Sequence, residues 1–545
     1  MYIARSTSKS NSGKVYESIL LRESYRENGK VKNRTLANLS KSSKNEIAAI
    51  ELALKHKDDP QILSKNHFQI FQGKSIGSVF VLHEVAKKVG ITKALGNSFQ
   101  AKLALWLIFA RILEQGSRLS ATRLDVNYDI ASILNFKRGF DENDLYDSLH
   151  WLAKNQEEIE NYLFKLRQYS GHFYWYDVTS SYFEGMKNDL AAYGHNRDNK
   201  KRKKQIVIGL LSINDGMPIS VEAFTGNTQD TQTFQSQLEK LKTRFGCKNV
   251  VIVGDRGMIR NKQKLLAKEY GFKFITALTL LQVNALINAG HLSLNQFTAQ
   301  LQSICIEGTR YIYRRNPGRA LETNRQRLER LQTAQKRVNQ ENEKLKSKPR
   351  MSAHLAKTRT KKYLNRLCIA EWVEVYIDKR QLFLNVNEES LKEKSKLDGC
   401  YIWTTELGTD EAADQEVYNR YKDLKYVEDD FRTFKTDFLE IRPIHVRTPE
   451  STQGHLFVTM LAHMIVRELR KAWFDMNITV DESLRMLSLI CQNSIRCSDG
   501  VNINLITEPS NQAADLLKAL KIKLPKTIKE VKVPVVTRHK TKKQT

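Results

Sequence analysis

Cysteine is sparse and scattered in this chain. Six thiols stand far apart, at 247, 305, 368, 400, 491 and 497, and no two form a Cys-x-x-Cys pair. That excludes a zinc knuckle and a disulfide framework, and it fits a reducing cytosol. No apolar core follows the opening Met-Tyr-Ile-Ala-Arg-Ser-Thr-Ser-Lys, so a signal peptide is not read there. Long hydrophobic runs are missing too: the apolar stretch 103–110 stops at Arg111, too short to span a bilayer. The expected location is cytoplasmic. Acidic residues are outnumbered, 60 Asp and Glu against 88 Lys and Arg, which leaves a net charge of +28. An excess that large points to a polyanionic partner, most simply nucleic acid, against the blander alternative of a basic surface that binds nothing.

What is present is enough apolar material for a packed core, 41% of 545 residues, and length for several domains. Asn28-Gly29 lies between alternating apolar and polar positions over 13–39 and predicts a β-hairpin, followed by a helix near 43–57. Residues 76–170 read as helical, with apolar positions at helical spacing over 76–89 and 101–113. Strands are expected at 173–177, 204–213, 217–224, 249–254 and 272–278, with a tight turn at Asn214-Asp215-Gly216 and a helix at 230–244. Three consecutive strands and then alternating helix and strand make an α/β mixed sheet covered by helices. Leu321, Leu328, Leu331, Val338 and Leu345 form a heptad-like seam on a long helix over 320–346, favouring an internal hairpin with a basic helix at 353–367. Two strands containing Trp372 and Gln381 follow. Strand 400–405 and helix 411–435 resume the sheet domain. Thr448-Pro449-Glu450 starts a long buried helix, and the Lys-rich last 25 residues are expected to be a flexible tail. The expected division is 1–60 hairpin unit, 61–170 helical and DNA-binding, 171–280 first part of the core, 281–395 insertion, 396–475 second part of the core, and 476–545 helices with the basic tail.

Three acids stand out. Asp177 closes the run His-Phe-Tyr-Trp-Tyr-Asp, read as a strand end that projects the carboxylate from the sheet edge. The plain alternative is an Asp capping the turn Val178-Thr179-Ser180. Asp255 follows the apolar run 250–253, typical of a buried strand, and the small Gly254 and Gly257 beside it would admit a phosphate or metal. Glu428 lies on a helix whose narrow polar stripe also holds Tyr421, Arg432 and Lys435. There the carboxylate would ligate metal while Arg432 and Lys435 contact phosphates, unless Glu428 and Arg432 are merely a surface i,i+4 pair. Like charges converge on one site only around a cation, and a Mg²⁺ pair offsets their repulsion. Such a pair activates water or a DNA 3′-hydroxyl and stabilises the leaving oxygen. The net charge argues against a glycosidase, which also uses paired carboxylates. Arg256 and the dense run Arg197, Lys201, Arg202 and Lys203 are candidate DNA contacts near the acids.

These motifs resemble bacterial insertion-sequence transposases of the DDE type, most closely the insertion-sequence-four group with its Tyr-x2-Arg-x3-Glu-x6-Lys signature. Tyr421, Glu428 and Lys435 match that spacing, whereas Leu424 stands where the signature has Arg. Arg432 is the candidate to take over the missing contact. Gly194-His195-Asn196-Arg197-Asp198, Gly226-Asn227-Thr228-Gln229-Asp230 and Arg442-Pro443-Ile444-His445 resemble further family segments, over about 170–470. The resemblance implies an RNase H-like core with a β-rich insertion before the last acid. It implies that Asp177, Asp255 and Glu428 hold two Mg²⁺ ions, with Mn²⁺ able to substitute. Double-stranded DNA ends carrying inverted repeats would be the substrate, a homodimer the active form, and the nucleoid the place of action. Trp372 is the implied aromatic for a flipped base, with a core strand Trp as the plainer reading. A non-catalytic DNA-binding derivative and an RNase H-like nuclease without strand transfer remain as alternatives.

Overall fold

The computed structural model describes residues 1–536 apart from 11–12, 14, 56, 58–67, 168, 170, 199, 201, 214–215 and 498–501. The Asn214-Asp215 turn and Lys201 therefore lie outside the described residues. The N-terminal hairpin is part of a three-stranded antiparallel sheet of β1 (Tyr2–Lys9), β2 (Val15–Glu27) and β3 (Lys30–Asn38), followed by the helix Lys44–Lys55. Asn28 and Gly29 both take positive φ, the demand that selects Asn-Gly for a two-residue turn. Short strands β4 (Phe68–Phe71) and β5 (Phe140–Asp141) flank a helical region. In it the helix Phe99–Leu113 is buried without interruption from Leu103 to Ile112.

The centre is an eight-stranded sheet. Its first strands are β6 (Phe173–Tyr182), β7 (Gln205–Ile213) and β8 (Met217–Thr225), an antiparallel meander. Then β9 (Val251–Val253) lies parallel to β6, and β10 (Lys273–Ala277) parallel to β9. The spatial order β8-β7-β6-β9-β10, with only the middle member of the meander reversed, is the RNase H-like arrangement. The sheet continues through β15 (Cys400–Thr405) to β12 (Thr309–Arg315) and β11 (Gln302–Ile306). So β11 and β12, inside the stretch read as an insertion, extend the large sheet. The helices Pro317–Ser347 and Ala353–Arg366 pack with β13 (Val373–Asp378) and β14 (Gln381–Val386) around an apolar cluster of their own. Only the second half of the heptad seam is buried there: Val338 and Leu345 are enclosed, while Leu321 and Leu328 face solvent.

Strand alternation divides the sheet's two apolar layers. Tyr174, Tyr176 and Val178 point to one cluster, with Phe234 and Leu238 of the helix Asp230–Glu239. Trp175 and Val253 point to the other, with the helix Pro449–Ala472. That helix starts as expected, Thr448 capping Ser451 N–H and Pro449 in the first turn. Sixteen of its residues are buried.

Three expectations need correction. The strand holding Asp177 does not end there but runs on to Tyr182, because Val178, Thr179, Ser180 and Ser181 continue its pairing with β7. The helix over 411–435 is two, Asp414–Lys422 and Leu424–Arg432, separated at Asp423 and followed by a π-helical turn Thr433–Asp437. The C-terminal stretch is not a free tail as far as 536. Ile522, Leu524, Ile528, Val531, Val533 and Val535 pack against the main core. Strand β18 (Val535–Val536) pairs with β5, after β16 (Gln492–Cys497) and β17 (Asn502–Ile506) have joined β4. Lysines between those apolar positions raise the charge count and mask the pattern that docks the segment.

Candidate active site

The site begins with a register. In the parallel pairing of β6 and β9, Phe173 faces Val251, Tyr174 faces Ile252 and Trp175 faces Val253. Asp177 stands two residues past the last pair on β6, and Asp255 two residues past it on the β9 side. β9 stops at Val253, and the chain turns, with Met258 N–H donating to Asp255 O at 3.0 Å. The Asp255 carboxylate accepts from Arg256 N–H (2.7 Å) and Gly257 N–H (3.4 Å); Asp177 accepts from Val178 N–H (2.8 Å). Asp255 thus caps its own turn, whereas Asp177 accepts from the next N–H inside a continuing strand and caps no turn; both line the cleft. Gly254 is small for a different reason than ligand approach: a Cβ there would stand 2.8 Å from Ile259 Cδ1.

Glu428 comes from the Leu424–Arg432 helix, which leans on β6. Asp177, Asp255 and Glu428 line one cleft of about 570 Å³. Burial pushes the Asp177 carboxyl up to about 7, and the neighbouring charges of Asp255 and Glu428 push the same way, against Val178 N–H and Arg197. The Tyr421 phenol, in the same cleft, is also raised, by burial and by Asp255. Among the described residues Glu428 enters no hydrogen bond or ion pair. Arg432 is exposed and pairs with Asp429 at 3.1 Å, not with Glu428.

Several expected DNA contacts are placed elsewhere. Lys435 does not share the polar stripe: the π-helical turn adds a residue to its turn and swings Lys435 inward. There it meets Asp198 at 3.1 Å, beside Arg442 at 2.8 Å on the same oxygen, and the Asp198 side chain is 1% exposed. Arg197 donates to Val178 O (2.6 Å) and Asp230 (2.5 Å), which holds it against β6 beside Asp177. Trp372 is 2% exposed inside the cluster of the helical hairpin, so the plainer reading describes it. Arg256 lines the cleft, and Arg202 and Lys203 line a separate one of about 800 Å³, where Lys203 meets Glu184 at 3.0 Å. Leu424 sits at the cleft's edge, 9% exposed and part of the main apolar core.

The structure adds residues that spacing did not single out. Tyr401 and Trp403 of β15 stack at 6.0 Å, Tyr418 meets Trp403 edge-on at 4.9 Å, and Arg314 lies over Tyr418 at 5.5 Å. All four line the cleft, with Arg319 and Lys422. The alternation Tyr-x-Trp in 401–403 was the available signal, one strand before the acid helix.

Among the described residues no group of three or more His, Cys, Asp or Glu is gathered closely enough to hold a metal ion as it stands. The donor set still fits a hard divalent cation: three carboxylates line one cleft, and the half-buried Asp177 is pushed up by its like-charged neighbours as well as by desolvation.

Residues 172–465 match the family model of the Transposase DDE domain. The chain belongs to the DDE transposases. Residues 3–62 match a second model, the IS1634 family transposase N-terminal domain, which makes this an insertion-sequence transposase. The DDE domain brings divalent-metal dependence with it. None of the curated proteins matches the transposase. One solved structure similar to it is a piggyBac transposase synaptic complex with hairpin DNA, at 8% identity and a TM-score of 0.36, covering 76% of each chain. No helix among the described residues is long and apolar enough to cross a membrane.

Proposed function

We propose that this DNA transposase cuts at the terminal inverted repeats of its element and joins the freed ends to target DNA, with Asp177, Asp255 and Glu428 as its catalytic acids. The observation that carries the reading is the one cleft lined by Asp177, Asp255 and Glu428, the first two each two residues past the last paired positions of β6 and β9. In cleavage, water attacks the phosphorus, the P–O3′ bond breaks and a 3′-hydroxyl leaves. In joining, that 3′-hydroxyl attacks a target phosphodiester and displaces a target 3′-hydroxyl. Two Mg²⁺ ions, or Mn²⁺ in their place, would be held by the three carboxylates and supply charge neutralisation for both steps. Arg256, Arg314 and Lys422 line the cleft where a phosphodiester backbone would lie. Arg202 and Lys203, in a separate cleft past the end of β6, would contact DNA further along, and Arg432 offers an exposed contact on the acid helix. Lys435 and Arg197 act by holding the elements in place.

Within this reading the enzyme sits in the insertion-sequence-four group, departing from its signature at Leu424. It acts as a homodimer when two ends are paired, at the nucleoid. The insertion is the helical hairpin with β13 and β14, since β11 and β12 belong to the sheet.

The test is Mg²⁺-dependent cleavage of duplexes carrying the DNA that flanks the gene. Asp177→Ala, Asp255→Ala and Glu428→Ala should each abolish cleavage while duplex binding persists. Normal cleavage by any one of them removes that acid from the site. Pre-cleaved ends that yield no joined product favour a nuclease without strand transfer. The buried Leu424 and the open spacing of the acids favour a second reading, a DNA-binding derivative that no longer cuts. Mn²⁺ titration by calorimetry separates it: binding lost in Asp177→Ala supports the enzyme, and no binding by the wild type supports the derivative.

A further inference from the structure

The three-stranded N-terminal sheet sorts its charges by strand parity. Residues directly opposite in antiparallel strands share a face. On β2, Glu17, Glu23 and Glu27 share one face with Arg5 of β1 and with Lys32 and Arg34 of β3. Three of the face's cations are neutralised there, Arg34 by Glu23 at 2.6 Å, Lys32 by Glu27 at 2.6 Å, and Arg5 by Glu51 at 2.7 Å, while Lys9 and Lys30 stand on the same face at the strand ends. Glu51 belongs to the helix Lys44–Lys55, so this is the face tied to the helix.

The opposite face is different in kind. It carries Tyr16, Ser24, Arg22 and Arg26 of β2, and register places Asn33 and Thr35 of β3 beside them, Ser24 facing Asn33 and Arg22 facing Thr35. Among its described residues none is acidic. Neither Arg22 nor Arg26 enters an ion pair among the described residues, and Arg22 Nε is buried without a hydrogen-bond partner. The Ser24 hydroxyl donates to Asn33 Oδ1 at 2.6 Å, which orients the Asn33 amide and leaves its NH₂ free to donate. Tyr16, at the other end of β2 on the same face, is 54% exposed.

We infer that this acid-free face of the N-terminal sheet docks on duplex DNA at the element's ends, with Arg22 and Arg26 on the backbone and Asn33 reading a base edge. A β-ribbon fits the major groove, and free guanidinium and carboxamide groups are the chemistry that groove selects. The helices 77–166 are less suited, since their buried faces are committed to the core. The inference rests on the proposed end-cleavage reading for its choice of DNA sequence.

The experiment uses the full chain and a fluorescent duplex of the flanking terminal sequence, with a scrambled duplex as reference, across a salt series. Arg22→Ala/Arg26→Ala should weaken binding to both duplexes by about tenfold and lower the salt slope by about two. Asn33→Ala should weaken only the terminal duplex, narrowing the preference by about tenfold. Lys32→Ala/Arg34→Ala, on the paired face, should stay within about twofold of wild type. Arg26, Lys32, Asn33 and Arg34 are exposed and Arg22 is half-buried, and matching circular dichroism and melting curves keep folding out of the comparison. Equal losses from both faces, or wild-type binding by Arg22→Ala/Arg26→Ala, overturn the inference. If wild type cuts the terminal duplex while those variants bind it normally, only this inference fails. If wild type neither prefers nor cuts it, the end-cleavage reading fails as well.

Discussion

Asp198 shows how a single carboxylate can matter without touching the chemistry. Its oxygens receive Lys435, Arg442 and the backbone N–H of Tyr182, at 3.1, 2.8 and 3.0 Å. It therefore ties the end of β6 to the far end of the Glu428 segment. Asp198→Ala leaves Lys435 buried and unpaired, and should cost about 3 kcal/mol in denaturant unfolding. Cleavage should fall with it while the three proposed catalytic acids stay intact; an unchanged unfolding midpoint would remove Asp198 from this role. The sequence made Asp198 visible only as part of the resemblance around Gly194-His195-Asn196-Arg197. Its partner lay 237 residues away, beyond the reach of any local pattern. Asp255 was legible because a fully apolar run ending in Gly-Asp is a short-range signal. Asp177 was legible as a residue but misplaced as a strand end, because Thr179, Ser180 and Ser181 look like turn chemistry until β7 pairs with them.

At the scale of elements, periodicity located most helices and strands and failed where a helix changes its own period. Tyr421, Glu428, Arg432 and Lys435 share a stripe only on an unbroken α-helix. The separation at Asp423 and the π-helical turn after Arg432 undo it. The helix Pro449–Ala472 carries another feature that propensity misreads. A Cβ at Gly454 would lie 2.2 Å from the Leu149 carbonyl oxygen on the helix Glu142–Leu166. Gly454→Ala gains about 1 kcal/mol of helix propensity in isolation. Here the crossing must open, so the expected net effect is a loss of about 1–3 kcal/mol, read by thermal unfolding. A raised melting temperature would show that the two helices are free to separate.

Over the whole molecule, charge and metal are linked through pH. The Asp177 carboxyl has an ordinary value of 3.8 and is pushed up to about 7 in the folded chain. The folded form therefore holds this proton more tightly than the unfolded form. Its contribution to stability falls as pH rises from about 4 to about 7, and that loss is complete above it. A divalent cation that takes the proton's place restores the loss. Addition of Mg²⁺ or Mn²⁺ should thus raise the melting temperature more at pH 8 than at pH 6, and Asp177→Asn should remove that difference. Equal shifts at both pH values would separate the cation from Asp177. The large positive charge was legible at once, but its sorting into paired and unpaired faces needed the register of β2 and β3.

The long reach of the fold also sets when the enzyme comes to exist. Chain synthesis passes Asp177 some 250 residues before Glu428, and the helix that packs against one layer of the sheet, Pro449–Ala472, comes later still. β4, at 68–71, waits for β16 at 492–497 before it has a neighbour. In the proposed site, a chain on the ribosome still short of Glu428 holds two of the three acids and lacks the helix behind them, so its parts cannot close around DNA. Cutting waits until the segment carrying Glu428 has been made and packed.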